Sequence, residues 1–330
     1  MRKFQKILIT GISGSGGSYL AEHILSKKLK GTKIFGLIRN SNKFNTKNLK
    51  KKVIIEKCDL ANFSAVKKKL NRIKPDCIFH LASMADVRKS FDDPRGVIEN
   101  NNAITLNLLE AIRVLKIDPL IIICSSSEVY GQVSKKFVPI KEDCPIKPAS
   151  PYAVSKTFQD LVSYNYFQNF NLRIIITRMF TYFNARRTNL FASHWANQVA
   201  KIELGLAKDL KHGNLNSVRT IIDIKDAMEA YWITACKGHI GEIYNIGGTT
   251  TVNLGQFLRL LKNKARVSIK TIVDPQLLRT TDVTLQIPCT KKFFKHTGWR
   301  PKINFKQSIE SLLAEFRTKN FLSLKKKYNN

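Results

Sequence analysis

The chain has 330 residues, 43% of them hydrophobic, enough apolar material for one large core or two unequal domains. No apolar run reaches the roughly 18 residues of a membrane span, and six scattered cysteines show no paired metal spacing, so membrane and metal proteins are set aside. The charge of +32 attracts anions generally, but the lysines fall in short runs (50–52, 67–69, 325–327) without interleaved aromatics, which predicts solvated faces and no nucleic-acid partner.

Residues 1–6 lead into a short strand with no apolar leader, so a cytoplasmic protein with reduced thiols is expected. Lys6-Ile7-Leu8-Ile9 predicts that strand, Thr10-Gly11-Ile12-Ser13-Gly14-Ser15-Gly16-Gly17 a tight turn, and residues 18–28 a helix. This order suits a dinucleotide: the glycines permit the turn and a close approach, and the helix N-terminus offers amides to a pyrophosphate. Gly11, Ser13, Gly14 and Gly17 are candidate cofactor contacts. A second strand, 33–38, ends at Arg39, where an acidic residue would grip an adenosine 2′-hydroxyl and an arginine suits a 2′-phosphate. NADP is expected, with NAD the weaker alternative. Strand 53–55 leads to Asp59 and Leu60, where Asp59 is placed to accept from an adenine amino group. A helix over 62–73 precedes strand 77–79, which ends in His80-Leu81-Ala82-Ser83. Leu81 and Ala82 join the cofactor candidates, and His80, in an apolar run, is expected to be a packed core residue.

After a helix over 94–116, strand 120–123 runs into Cys124-Ser125-Ser126-Ser127-Glu128-Val129-Tyr130-Gly131. Ser150 caps and Pro151 starts a helix reaching 169, so Tyr152 and Lys156, four apart, share one of its faces. A cation beside a phenol favours the phenolate, the form that takes a proton from an alcohol, and a nearby serine hydroxyl can hold the substrate oxygen. Ser126, Glu128, Tyr152 and Lys156 are the catalytic candidates.

Beyond strand 172–176 the character changes to a polar stretch, 177–189, with Arg178, Arg186 and Arg187, then a helix over 190–206. Further strands and a closing helix over 305–319 follow. Arg219 and Arg279 are candidate clamps for a diphosphate, because guanidinium forks match phosphate oxygens. The expected fold is α/β: a Rossmann-type doubly wound parallel sheet with a smaller mixed α/β substrate-binding cap toward the C-terminus. The dinucleotide domain is assigned to 1–178 with returns near 221–249 and 285–300, and the cap mainly to 179–330.

The glycine turn, Ser126-Ser127-Glu128 and Tyr152-Ala153-Val154-Ser155-Lys156 together resemble the extended short-chain dehydrogenase/reductase family over nearly the whole chain. Within it the sequence is similar to the GDP-mannose 4,6-dehydratases and the related GDP-4-keto-6-deoxymannose reductases. The resemblance implies an NADP-dependent enzyme acting on a GDP-sugar, a homodimer or homotetramer. It implies that Tyr152 deprotonates the sugar C4 hydroxyl, Lys156 holds the nicotinamide ribose, Ser126 binds the C4 oxygen and Glu128 removes the C5 proton. Ser127, Thr181, Arg187, Arg219 and Arg279 are the implied substrate contacts. Thr181 stands where the family usually has asparagine, and Trp195 where the dehydratases have a lysine. A reductase or epimerase of the same fold is the alternative, and a non-catalytic dinucleotide- or polyanion-binding protein a second one.

Overall fold

The apolar run near the N-terminus becomes strand β1 (Lys6–Thr10), and six more strands lie parallel to it, in a computed structural model that describes residues 2–39, 44–49, 51–278 and 283–328. They are β2 (Lys33–Ile38), β3 (Ile54–Lys57), β4 (Cys77–His80), β5 (Leu120–Ser126), β6 (Ile174–Met179) and a late strand, Ile243–Ile246. Their order is Ile243–Ile246, β6, β5, β4, β1, β2, β3. Every residue of β4 and all but the last of β5 are buried, which is why they read as unbroken apolar runs instead of alternating ones. The chain steps outward from β1 to β3, crosses to β4, and then steps the other way. That reversal between β1 and β4 opens a crevice at the carboxyl ends of the strands, where Thr10, His80 and Ile123 lie in register.

Helices cover this sheet because their starts and stops are encoded locally. Asn62, Asp93 and Ser150 each accept a backbone N–H of the helix they open: Phe63–Ile73, Pro94–Leu115 and Pro151–Phe170. Each such cap is worth about 1 kcal/mol. Leu108, Leu109 and Ile112 of the second helix and Tyr166 of the third pack with Leu8, Ile78, Ile121 and Ile123 of the sheet. Burying each aliphatic side chain there contributes roughly 1.5–3 kcal/mol.

The chain divides into two compact units, the first made of Met1–Met179, Ala227–Ile246 and Pro288–Arg300. The second, Phe180–Asp226, Gly247–Ile287 and Pro301–Asn330, has its own core. There Val218–Asp223 pairs antiparallel with Thr250–Asn253 and parallel with Leu285–Gln286 and Tyr182–Phe183. Phe183, Trp195, Phe257, Leu261 and Phe316 fill that core between helices Phe191–Glu203, Leu254–Lys262 and Phe305–Tyr328. Because Val218–Asp223 pairs within this second sheet, the chain rejoins the first unit only at Ala227.

Two elements run longer than their sequence suggests. β6 continues through Thr177 and Arg178 to Met179, with every residue buried, because the polar side chains find buried partners. The closing helix extends past 319 to Tyr328, as no glycine or proline interrupts residues 305–328. Among the described residues no helix is long and apolar enough to cross a membrane.

Candidate active site

The glycine turn is held by contacts that leave no space for side chains. Gly11 has φ +67°, and a Cβ there would lie 2.7 Å from the Cα of Ala82, in the segment leaving β4. A Cβ on Gly17 would lie 2.5 Å from the Gly11 carbonyl oxygen, so the first turn of helix Ser15–Ser26 rests directly on the loop. No side chain caps that helix. Its first-turn amides therefore meet no capping side chain, the condition that suits a phosphate. Gly14 donates its N–H to Gly11 O at 2.9 Å, and the Ser13 carbonyl accepts from Asn45.

The other cofactor candidates are placed as follows. Arg39, exposed just past β2, donates to Asn100 Oδ1 at 3.1 Å. Asp59 is exposed after β3, and its carboxylate accepts the Ala61 N–H at 3.0 Å. Leu60 is buried, with its carbonyl bound by Asn107. Leu81 and Ala82 are half-buried at the end of β4, and the Ala82 N–H donates to Thr10 Oγ1 at 3.2 Å.

The proton-transfer group is assembled by one strand end and one helix. β5 ends at Ser126, whose Oγ accepts the Glu128 N–H at 3.2 Å and starts the short turn Ser127–Tyr130. Ser126 and Glu128 remain half-buried, whereas Ser127 is buried. Tyr152 and Lys156 lie on the inward face of helix Pro151–Phe170, 7% and 3% exposed. The Lys156 ammonium stands 5.9 Å from the centre of the Tyr152 ring. It donates to the Cys124 carbonyl at 2.9 Å, two residues before Ser126, so the cation pins the helix to the strand end bearing the serine. A second bond, 2.8 Å, goes to Gln159 Oε1. A phenol held near a fixed cation, beside a strand end rich in hydroxyls, can as its phenolate take a proton from a substrate alcohol.

His80 lies inside, fully buried, between Thr10 Oγ1 at 2.9 Å and Thr105 Oγ1 at 3.1 Å. Burial, and secondarily the charge of Lys156, lower its pKa to about 3, so it is neutral. Nothing in the primary pattern marked Gln159 or the buried pair Arg178–Asp160, which is 2.7 Å apart. The one available signal was spacing, since Asp160 falls one helical turn beyond Lys156 on the same face.

The substrate candidates of the second unit have protein partners of their own. Thr181 Oγ1 lies 3.5 Å from Gln286 Oε1, and half-buried Arg187 donates to Asn189 at 3.2 Å. Arg219 is buried, and its guanidinium donates to the carbonyls of Val218 and Val283. Those bonds turn part of the fork expected to clamp a diphosphate toward the protein backbone. Arg279 lies outside the described residues. Among the described residues no group of three or more His, Cys, Asp or Glu is arranged to hold a metal.

The family model described as GDP-mannose 4,6 dehydratase matches residues 8–312. The GDP-mannose 4,6 dehydratase 2 of Caenorhabditis elegans is 29% identical over 345 residues, covering 95% of this chain and 89% of the relative. The GDP-6-deoxy-D-mannose reductase of Pseudomonas aeruginosa is 28% identical over 247 residues, covering 74% of this chain and 81% of the relative. The structure of RMD from Pseudomonas aeruginosa complexed with NADPH superposes with a TM-score of 0.82 at 25% identity, covering 96% of this chain and 99% of that one.

Proposed function

The chain belongs to the GDP-mannose 4,6-dehydratase family, and from that premise we propose that it converts GDP-mannose to GDP-4-keto-6-deoxymannose with NADP. The observation that carries this reading is the pinning of Lys156 to Cys124 O, which ties the helix bearing Tyr152 to the strand end bearing Ser126. The residues present fit a dinucleotide. Gly11 and Gly17 let the turn close directly on Ala82 and on the loop's own carbonyl, and the helix starting at Ser15 has no side-chain cap competing for its amides. Gly11, Gly14 and Gly17 would hold NADP, which would supply hydride-transfer chemistry to the sugar.

The chain's own residues move the protons. Tyr152 takes the proton of the C4 hydroxyl while Ser126 holds that oxygen, and Lys156 stabilises the phenolate that must be ready to accept it. Glu128 then removes the C5 proton, which the neighbouring C4 ketone makes acidic, and gives it to the C6 hydroxyl, which leaves as water; a solvent proton later returns to C5 as Tyr152 releases its own. Thr181, Arg187, Arg219 and Arg279 belong to the part of the chain assigned to the nucleotide sugar. The charge of +32 speeds encounter with that dianionic substrate.

We read the subunit as one member of a homo-oligomer. Leu106 and Val114 of helix Pro94–Leu115, and Val154, Leu161, Tyr164 and Phe170 of helix Pro151–Phe170, are large and exposed, the composition of a surface that a second copy covers. Six free, buried cysteines suit the cytoplasm.

Purified protein given GDP-mannose and NADP is expected to form the 4-keto-6-deoxy sugar with no net NADPH change. Glu128→Gln is expected to stop elimination and leave nucleotide binding intact. A second reading, reduction of a 4-keto sugar, draws on the similarity to the Pseudomonas reductase. Stoichiometric NADPH oxidation with that ketone, and no turnover of GDP-mannose, would replace the first reading by the second.

A further inference from the structure

We propose that Gln159 is a positioning residue for Lys156, holding the ammonium with a neutral oxygen and tying it through Thr105, His80 and Thr10 to the backbone beside the glycine turn. The inference rests on the role given to Lys156 above. Its argument is the direction of each hydrogen bond in a buried chain. An ammonium can only donate, so the Gln159 atom 2.8 Å from Lys156 Nζ is the carbonyl oxygen, and the amide nitrogen points the other way. That nitrogen donates to Thr105 Oγ1 at 3.0 Å. The Thr105 hydroxyl gives its own proton to Asn101 O at 3.0 Å, so its oxygen accepts from His80 Nε2 as well. His80 is then the neutral Nε2–H tautomer, with Nδ1 accepting from Thr10 Oγ1 at 2.9 Å. Thr10 Oγ1 accepts in turn from Ala82 N–H, in the segment against which Gly11 packs.

No link in this chain is a carboxylate, and that is the physical point. A carboxylate at position 159 would bind the ammonium more strongly and cancel the charge that favours the Tyr152 phenolate. The nearest buried carboxylate, Asp160, is engaged by Arg178 at 2.7 Å, and His80 is neutral. Glu128 lies on the turn after β5. Gln159 satisfies a donor of Lys156 and leaves its charge to act on the phenol.

The test is titration of Tyr152 by ultraviolet difference spectroscopy, with Tyr152→Phe as the blank, in the whole protein without substrate. Gln159→Glu is expected to raise the tyrosine midpoint by roughly one pH unit, the scale of one added charge at this range in a protein. Its kcat at neutral pH should fall about 10-fold, with the loss recovered as pH rises. Gln159→Met, which removes the acceptor without adding charge, is expected to give a smaller rise and serves if the glutamate variant does not fold. A midpoint unchanged from wild type in either folded variant overturns the proposal. A raised midpoint in a protein that turns over no nucleotide sugar upholds the positioning role while removing the assigned reaction.

Discussion

Two buried cations in the first unit, Lys156 and Arg178, are each 3% exposed, yet they are held in opposite ways. Lys156 donates to the Cys124 carbonyl and the Gln159 side-chain oxygen. Arg178 donates to the Asp160 carboxylate at 2.7 Å, to the Tyr130 hydroxyl at 2.9 Å and to the Glu142 carbonyl at 2.9 Å. Burial works against the Arg178 guanidinium, but the Asp160 charge, together with the interactions with Tyr130 and the hydrogen bond to Asp160, outweighs it and keeps the group charged. Burial likewise pushes the Tyr130 phenol up to about 12, so it stays protonated against Arg178. Neutral acceptors satisfy N–H donors and leave the charge free to act on a neighbour, whereas a carboxylate cancels the field and leaves a structural clamp. In the proposed function the first cation serves chemistry, and the second locks helix Pro151–Phe170 to β6.

The largest expected effect comes from removing the first cation. Lys156→Met should lower kcat by roughly 10²–10⁴-fold, the range for losing support of a general base. Its stability should fall by no more than about 1–2 kcal/mol, the cost of two freed carbonyl acceptors. Steady-state kinetics beside a urea melt measures both. Equal stability losses in this variant and in Arg178→Met would erase the contrast.

Arg178→Met reverses the pattern. It strands the Asp160 carboxylate in the interior and should cost about 3–5 kcal/mol in the urea melt, with turnover per folded molecule reduced far less than in Lys156→Met. Replacing both partners, Asp160→Leu with Arg178→Met, should recover most of that loss, because the pair's desolvation cost disappears with it. A double variant as unstable as Arg178→Met would show that Arg178 acts through Tyr130 and Glu142 instead of through Asp160.

The smallest effect concerns His80, the neutral member of the chain that reaches Lys156. Its folded pKa of about 3 lies below the ordinary 6.5 of an unfolded histidine, so the unfolded chain binds more protons between those values. The contribution is fully present above pH 6.5 and is lost as pH falls toward 3. At about 1.4 kcal/mol per unit, His80 alone should cost roughly 2 kcal/mol of stability at pH 5 relative to pH 7. His80→Gln should flatten that part of a stability–pH curve measured by urea melts, and an unchanged slope would place the titration elsewhere.

What the amino-acid sequence determined by itself is what short-range physics controls. Continuous apolar runs named the parallel strands, the glycines between β1 and its helix named the turn, and Ser150-Pro151 set the helix phase that puts Tyr152 and Lys156 on one face. Each of those features is encoded within a few residues, by periodicity, capping or φ. Only the tertiary structure decided which polar groups inside the core face one another. Gln159 meets Thr105 from 54 residues away, and Arg219 meets the Val283 carbonyl from 64. Arg178 falls in a stretch whose composition is polar, yet it lies inside β6, because Asp160, 18 residues earlier, supplies the charge that permits its burial. Hydrogen-bond partners brought together by packing leave no period in the chain, so the local pattern locates Tyr152 and Lys156 while the fold alone specifies what holds that lysine.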